Sequence, residues 1–168
     1  EGDPDPEITY NVSVPAHGTF IAGIIAAEDT NDIGRVGVVP RGLLNLQKIA
    51  DNYGNFYFSY AVSALADLAD GDLGVGVLSY SIAGSSYTDS FRDAVDALAD
   101  VDILMVAAAG NCAYAHCPDA DNDSNPLYPA SFSSEHIVAV AGSTRDGSLN
   151  SYSHYGASSV DLAAPGVD

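Results

Sequence analysis

A histidine at the start of a helix is equipped to move a proton near neutral pH, and His17 in A-H-G-T has that setting. The glycine and threonine behind it let the backbone turn tightly and leave the imidazole facing outward. Taken alone, such a histidine is more often a surface or capping residue. A second candidate lies in A-A-A-G-N, Ala107 to Asn111, where a glycine and a side-chain amide follow an apolar run. In open parallel sheets ligands bind beyond the carboxyl ends of strands, so the Asn111 amide is placed to donate to a developing negative charge. Gly-Asn is also an ordinary turn signal. A base and an oxyanion donor are two of the parts that nucleophilic catalysis needs, the others being a nucleophile and an orienting carboxylate.

Other chemically capable residues carry less direction. Cys112 and Cys117, the two cysteines of the chain, stand in N-C-A-Y-A-H-C-P. A short-loop disulfide of an exported protein is the favoured reading. His116 beside Cys117 also admits a metal site, although zinc takes four ligands and only three candidates lie here. Two free thiols are the third reading. Asp119, Asp121 and Asp123 alternate like the opening of a calcium loop, but Ser124 stands where an EF-hand needs glycine and no glutamate closes the loop. Asn11 in N-V-S and Asn122 in N-D-S match the glycosylation pattern.

The elements that must position these residues can be read from periodicity. Residues 1–15 are rich in Pro and Asp without a repeat and read as loop. The stretch from His17, H-G-T-F-I-A-G-I-I-A-A, is apolar on most faces and predicts a buried helix. Leu43 to Ala50 predicts a strand, Phe58 to Ala69 a helix and Val75 to Ser81 a second strand. Ser90 to Ala99 predicts an amphipathic helix with Asp93 and Asp96 outward. The unbroken run Ile103 to Ala109 suits a strand covered on both faces by helices, and His136 to Gly142 and Ser159 to Ala163 predict two more. Alternating strands and helices imply an α/β fold, a mainly parallel twisted sheet between helical layers. No linker, repeat or low-complexity tract divides the chain, so residues 1–168 are read as undivided.

Composition narrows the function classes. With 168 residues and 47% hydrophobic content, one globular domain is expected. Twenty-three acidic against five basic residues give a net charge of −18, a poor surface for nucleic acid. Such a shell favours a monomer, and adaptation to high salt or several bound cations would produce it too. Neither a membrane span nor a signal peptide is visible, as expected of a mature or internal segment of a longer precursor. A nucleotide-binding domain is disfavoured because G-x-G-x-x-G is absent and the G-V-G at Gly74 precedes a strand. The absence of G-x-S-x-G disfavours an α/β-hydrolase.

Read together and in order, the segments resemble those of the subtilisin-like serine peptidases, the subtilases. H-G-T-F-I-A-G-I-I-A-A is similar to the family's histidine motif, and I-G-R-V-G-V-V-P at Ile33 to Pro40 to the stretch that follows it. V-L-S-Y-S-I-A-G at Val77 to Gly84 resembles the strand lining the substrate cleft, and A-A-A-G-N the oxyanion segment. Y-P-A-S-F, I-V-A-V-A-G-S and A-A-P-G-V complete the order of landmarks. The resemblance runs from about Pro15 to Val167; one match would be weak, and the collinear set is specific.

The resemblance implies a serine endopeptidase in which His17 is the general base and acid and Asn111 donates to the oxyanion. It places Ser81, Ile82, Ala83 and Gly84 along one edge of an extended peptide substrate, and Asn52, Tyr53 and Gly54 along the other. It makes Ala108, Ala109 and Gly110 the wall of the primary specificity pocket and Phe56 part of a more distant apolar one. Backbone pairing on both edges implies broad sequence tolerance. No cofactor for the chemistry is implied. D-T-N-D-I-G-R resembles a structural calcium loop, with the Asn31 side chain and the carbonyls of Asp29, Ile33 and Arg35 as ligands. The implied setting is extracellular, the partners a peptide or protein substrate and a propeptide, with no nucleic acid or membrane.

The chain also departs from the family pattern. Phe20 stands where a histidine is more usual, and Ala83 replaces a common glycine. Asp3 and Asp5, in G-D-P-D-P, lack the apolar D-[ST]-G context of the catalytic aspartate. No serine here has the G-T-S-M-A setting of the nucleophile; Ser85 and Ser143 read as loop residues. Both missing triad members are expected to lie outside residues 1–168, which leaves the segment by itself inert. The alternative is a non-catalytic subtilase-like module that binds peptides or acts as a scaffold, and a downstream G-T-S motif discriminates between them.

Overall fold

Phe91, Ala94, Val95 and Leu98 recur at helical spacing and are all buried, and the strands behind them alternate buried and half-buried positions. These two patterns build the core of the structure, a computed structural model that describes residues 17–32, 34–51, 53, 55–71, 73–112 and 119–166. The chain separates into two compact units, Glu1–Ala64 and Leu65–Asp168.

In the unit Leu65–Asp168 a four-stranded sheet is formed by β1 (Val77–Tyr80), β2 (Leu104–Ala108), β3 (Ile137–Ser143) and β4 (Leu162–Pro165). The strands lie in the order β1-β2-β3-β4 and every neighbouring pair is parallel. The α/β expectation is met. Met105 and Ala107 of β2 and Ile137, Ala139 and Ala141 of β3 are buried on one face, while Val106, Val138 and Val140 are half-buried on the other. Helix α3 (Asp89–Asp100) packs on β2. Its apolar stripe holds Phe91 and Leu98, each 1% exposed, and burial of side chains of that size contributes roughly 1.5–3 kcal/mol apiece. Thr88 starts the helix: its Oγ1 accepts from the Phe91 N–H at 3.3 Å, satisfying one of the donors a helix start leaves unpaired. Asp93 is exposed and Asp96 pairs with Arg92 at 2.8 Å on the outer side.

Two strand expectations shift here. β4 begins at Leu162 instead of Ser159, because the Ser158 and Ser159 N–H groups are held by the Asp123 carboxylate and not by a neighbouring strand. Ser143 is the buried last residue of β3, not a loop residue.

Helix α2 (Phe58–Asp70) buries Ala61, Ala64, Leu65 and Leu68, one stripe at helical spacing. In the unit Glu1–Ala64, helix α1 (His17–Ala26) forms where predicted, but none of its residues is buried. Its covering within the unit is slight: the Gly37, Val38 and Val39 N–H groups donate to the carbonyls of Ala27, Ile24 and Ile25 and so close its carboxyl end. Gly37 is needed at this approach, since a Cβ there would lie 2.5 Å from the Ala27 nitrogen. The predicted strand Leu43–Ala50 does not form. Ala50 alone makes a bridge, with Phe56, and Leu43 and Leu46 are 100% and 50% exposed. A strand exists only through a neighbour's hydrogen bonds, and among the described residues of this unit only the Ala50–Phe56 bridge offers one.

Candidate active site

The parallel register pairs Tyr80 with Ala107, so the chain leaves β1 and β2 at the same carboxyl rim of the sheet. Beyond β1 come Ser81, Ile82 and Ala83, all half-buried, and exposed Gly84, whose N–H and C=O pair with the Tyr128 main chain at 3.1 and 2.8 Å. A cluster of aromatic rings supports this segment. Tyr128 meets Phe132 at 4.7 Å between centroids and Tyr87 at 5.3 Å, and Phe91 continues the cluster to Tyr80. Burial pushes the Tyr80 phenol up to about 12, so it stays neutral and takes no part in proton transfer near pH 7.

Beyond β2 the backbone turns at Gly110, with φ +117°. A side chain there would run into Leu127 Cδ1 and sit 3.4 Å from the His154 ring. The turn is fixed from both sides. The Ala109 N–H donates to the Val140 carbonyl, the His154 N–H to the Gly110 carbonyl and the Cys112 N–H to the Tyr152 carbonyl, at 2.8, 2.9 and 2.8 Å. Asn111 bridges Ser153 and is itself exposed, at the outer end of the turn. Ala108 is half-buried, Gly110 buried and Ala109 0% exposed. Whatever surface this stretch offers a ligand therefore comes from Ala108 and from the main chain.

Behind the turn lie two polar residues whose role the sequence reading missed. Asn122, 1% exposed, donates from Nδ2 to the Ala109 carbonyl at 2.8 Å, and its Oδ1 lies 2.9 Å from His154 Nδ1. Burial lowers the His154 pKa from its ordinary value. Although Asn122 matches the glycosylation pattern, its amide is buried and engaged by the Ala109 carbonyl and by His154, so it is not presented to a sugar. His154 carried no local signal, because its partner is 32 positions away.

In the unit Glu1–Ala64, His17 is the exposed first residue of α1. Asp51 organises the turn after it in the chain: its carboxylate accepts from the N–H groups of Tyr53 and Asn55, at 2.9 and 2.8 Å, and from Asn55 Nδ2 at 2.8 Å. Those bonds, the Asn55 side chain first, hold the Asp51 carboxyl below its ordinary range. Tyr53 is 78% and Phe56 39% exposed on this turn, and Asn52 and Gly54 lie outside the described residues. Of the expected calcium ligands, Asp29, Asn31 and Arg35 are exposed, Ile33 lies outside the described residues, and the Asp29 carboxylate is 3.9 Å from the Arg41 guanidinium.

Cys112 is disulfide-bonded; Cys117 and His116 lie outside the described residues. In the acidic loop, the Asp121 and Asp123 carboxylates accept main-chain hydrogen bonds that close the loop. Asp123 accepts from the Ser158 and Ser159 N–H groups and from Ser159 Oγ at 2.7 Å, which lowers its pKa. Among the described residues no group of three His, Cys, Asp or Glu side chains is arranged to hold a metal ion. No helix among them is long and apolar enough to cross a membrane.

The profile described as Subtilase family matches residues 1–168. The chain is 33% identical over 150 residues to thermitase of Thermoactinomyces vulgaris, covering 89% of this chain and 49% of thermitase. It is 32% identical over 160 residues to subtilisin DY of Bacillus licheniformis, covering 95% of this chain and 54% of that protein. The chain thus spans about half the length of these two relatives. The crystal structure of the psychrophilic subtilisin-like protease Apa1 from the Antarctic psychrotroph Pseudoalteromonas sp. AS-11 superposes with a TM-score of 0.70 at 32% identity, covering 89% of this chain and 32% of that one.

Proposed function

The chain belongs to the subtilase family, and on that premise we propose that the longer protein containing it is a secreted serine endopeptidase acting through an acyl-enzyme. In this reading His17 takes the proton from the attacking hydroxyl and returns it to the leaving amine. Asn111 donates to the oxyanion, where a donor is worth most because the charge appears only in the transition state. The serine nucleophile and the aspartate that orients His17 come from outside residues 1–168, so the segment by itself is inert.

The single observation that carries the reading is the placement of Asn111 and Ser81–Gly84 beyond adjacent parallel strands at one carboxyl rim. An extended peptide laid along Ser81–Ala83 by main-chain hydrogen bonds would bring its scissile carbonyl toward the Asn111 amide. Asn52, Tyr53 and Gly54 would hold its other edge, with Phe56 at a distal apolar subsite and Ala108, Ala109 and Gly110 around the primary pocket.

Calcium would have a structural part only. The Asn31 side-chain oxygen and the carbonyls of Asp29, Ile33 and Arg35 are donors of the type it prefers, and they supply part of the about six to eight it takes.

The test is acyl-enzyme formation in the full-length protein with a serine-directed phosphonate. Stoichiometric labelling is expected, with loss of labelling and of peptide hydrolysis in His17→Ala. A full-length protein that neither labels nor cleaves peptides is the result that removes the assignment. A structure of the labelled protein should further show His17 and Asn111 meeting at the phosphonate.

A further inference from the structure

We infer that Asn122 and His154 are positioning residues for the oxyanion donor, holding the Ala109–Asn111 turn in the one geometry from which Asn111 can act. The inference rests on the peptidase reading above.

Main-chain geometry makes the Ala109 carbonyl the weak point of the turn. The Ala109 N–H is held by the sheet through Val140, but the Ala109 carbonyl, in a residue 0% exposed, accepts from the Asn122 side chain. A buried carbonyl without a partner costs on the order of 1–3 kcal/mol. The peptide between Ala109 and Gly110 would therefore rotate to find one, and Gly110, already at positive φ, offers little resistance to that rotation. Asn111 is the next residue and would move with it. An oxyanion donor must lie about 2.7–3.1 Å from the developing charge, and a displacement of about 1 Å can cost about 10²-fold in rate.

His154 completes the clamp in two ways. Its main-chain N–H holds the Gly110 carbonyl at 2.9 Å, so the two carbonyls preceding Asn111 are both engaged by this pair of residues. Its ring decides the orientation of Asn122. A carbonyl can only accept, so Asn122 must turn Nδ2 toward Ala109 and Oδ1 toward His154; Nδ1 of His154 then carries the proton and donates. Asn122 is in turn tied to the segment after Ser153, since its N–H donates to the Tyr155 carbonyl at 2.7 Å.

The experiment measures kcat and KM on the full-length enzyme, with each preparation normalised by active-site titration so that misfolded material does not enter kcat. His154→Leu removes the ring donor; His154→Asn restores one, because Asn Nδ2 stands as many bonds from the backbone as His Nδ1. The expected result is a kcat about tenfold lower for His154→Leu with KM within about twofold, and near-parental kcat for His154→Asn. Asn122→Ala should behave as His154→Leu does. The decisive comparison uses Asn111→Ala as background, where adding His154→Leu should bring no further loss, since the group it positions is already gone. An unchanged kcat per titrated site, or a full additional loss in the Asn111→Ala background, overturns the inference. Where His154→Leu does not accumulate, His154→Ala, which also removes the ring donor, is read against the same predictions. A parent enzyme that forms no acyl-enzyme fails at the first step and overturns the peptidase reading together with this one.

Discussion

Gly110 meets a demand that a side chain cannot. At φ +117° an L-residue is strained, and the space beside it is already filled by Leu127 and the His154 ring. Gly110→Ala is expected to lower stability by roughly 1–3 kcal/mol from backbone strain alone, more where Leu127 cannot yield, and, on the peptidase reading proposed above, to reduce kcat in the full-length protein. Denaturant titration and steady-state kinetics check the two effects. His154 makes a prediction about pH. Its folded pKa lies below the unfolded value of about 6.5, so below that pH the unfolded chain binds a proton that the folded one resists. Its contribution to stability is therefore present above about pH 6.5 and lost as pH falls through the depressed folded value. Asp51 and Asp123, whose carboxyls are also lowered, act in a separate window below about 3.8. Urea unfolding at stepped pH should show the upper limb in the parent and not in His154→Asn. At this scale the sequence singles out His17 and Asn111 as candidates because their neighbours in the chain match the family's motifs. It did not display Asn122 and His154, whose meaning lies in a contact between distant segments.

The elements that formed as predicted carry their partners' signature within themselves. α3 has its cap, its stripe and its acidic outer face in one short stretch, and β2 and β3 are apolar runs long enough to be covered on reading alone. Thr88→Ala removes the cap and is expected to cost about 1 kcal/mol. Phe91→Ala, which empties the centre of the stripe and one member of the aromatic cluster, should cost about 3–5 kcal/mol. Chemical denaturation of the full-length protein distinguishes the two by size. The failures follow the same logic in reverse. Leu43–Ala50 has a strand's composition, but composition does not provide the neighbour that makes a strand. The offset at the start of β4 arises because Asp123, a residue far away in the chain, captures the backbone of Ser158 and Ser159.

For residues 1–168 taken together the dominant number is the net charge of −18. Acid–base pairs relieve it only locally, as at Arg92–Asp96 and the longer Arg41–Asp29 contact. Repulsion among the remaining carboxylates opposes compaction, and salt shortens its reach from about 10 Å at 0.1 M to about 3 Å at 1 M. The melting temperature of the full-length protein is expected to rise over that interval in sodium chloride; a flat or falling profile would show that charge does not govern its stability. The order of the sheet adds one more consequence. Because β1, β2, β3 and β4 neighbour one another in the sequence in which they leave the ribosome, each emerging strand finds its docking edge already laid down. Assembly can then proceed vectorially during translation, each strand adding at the same growing margin, and a pause between strands leaves that margin open to the wrong chain.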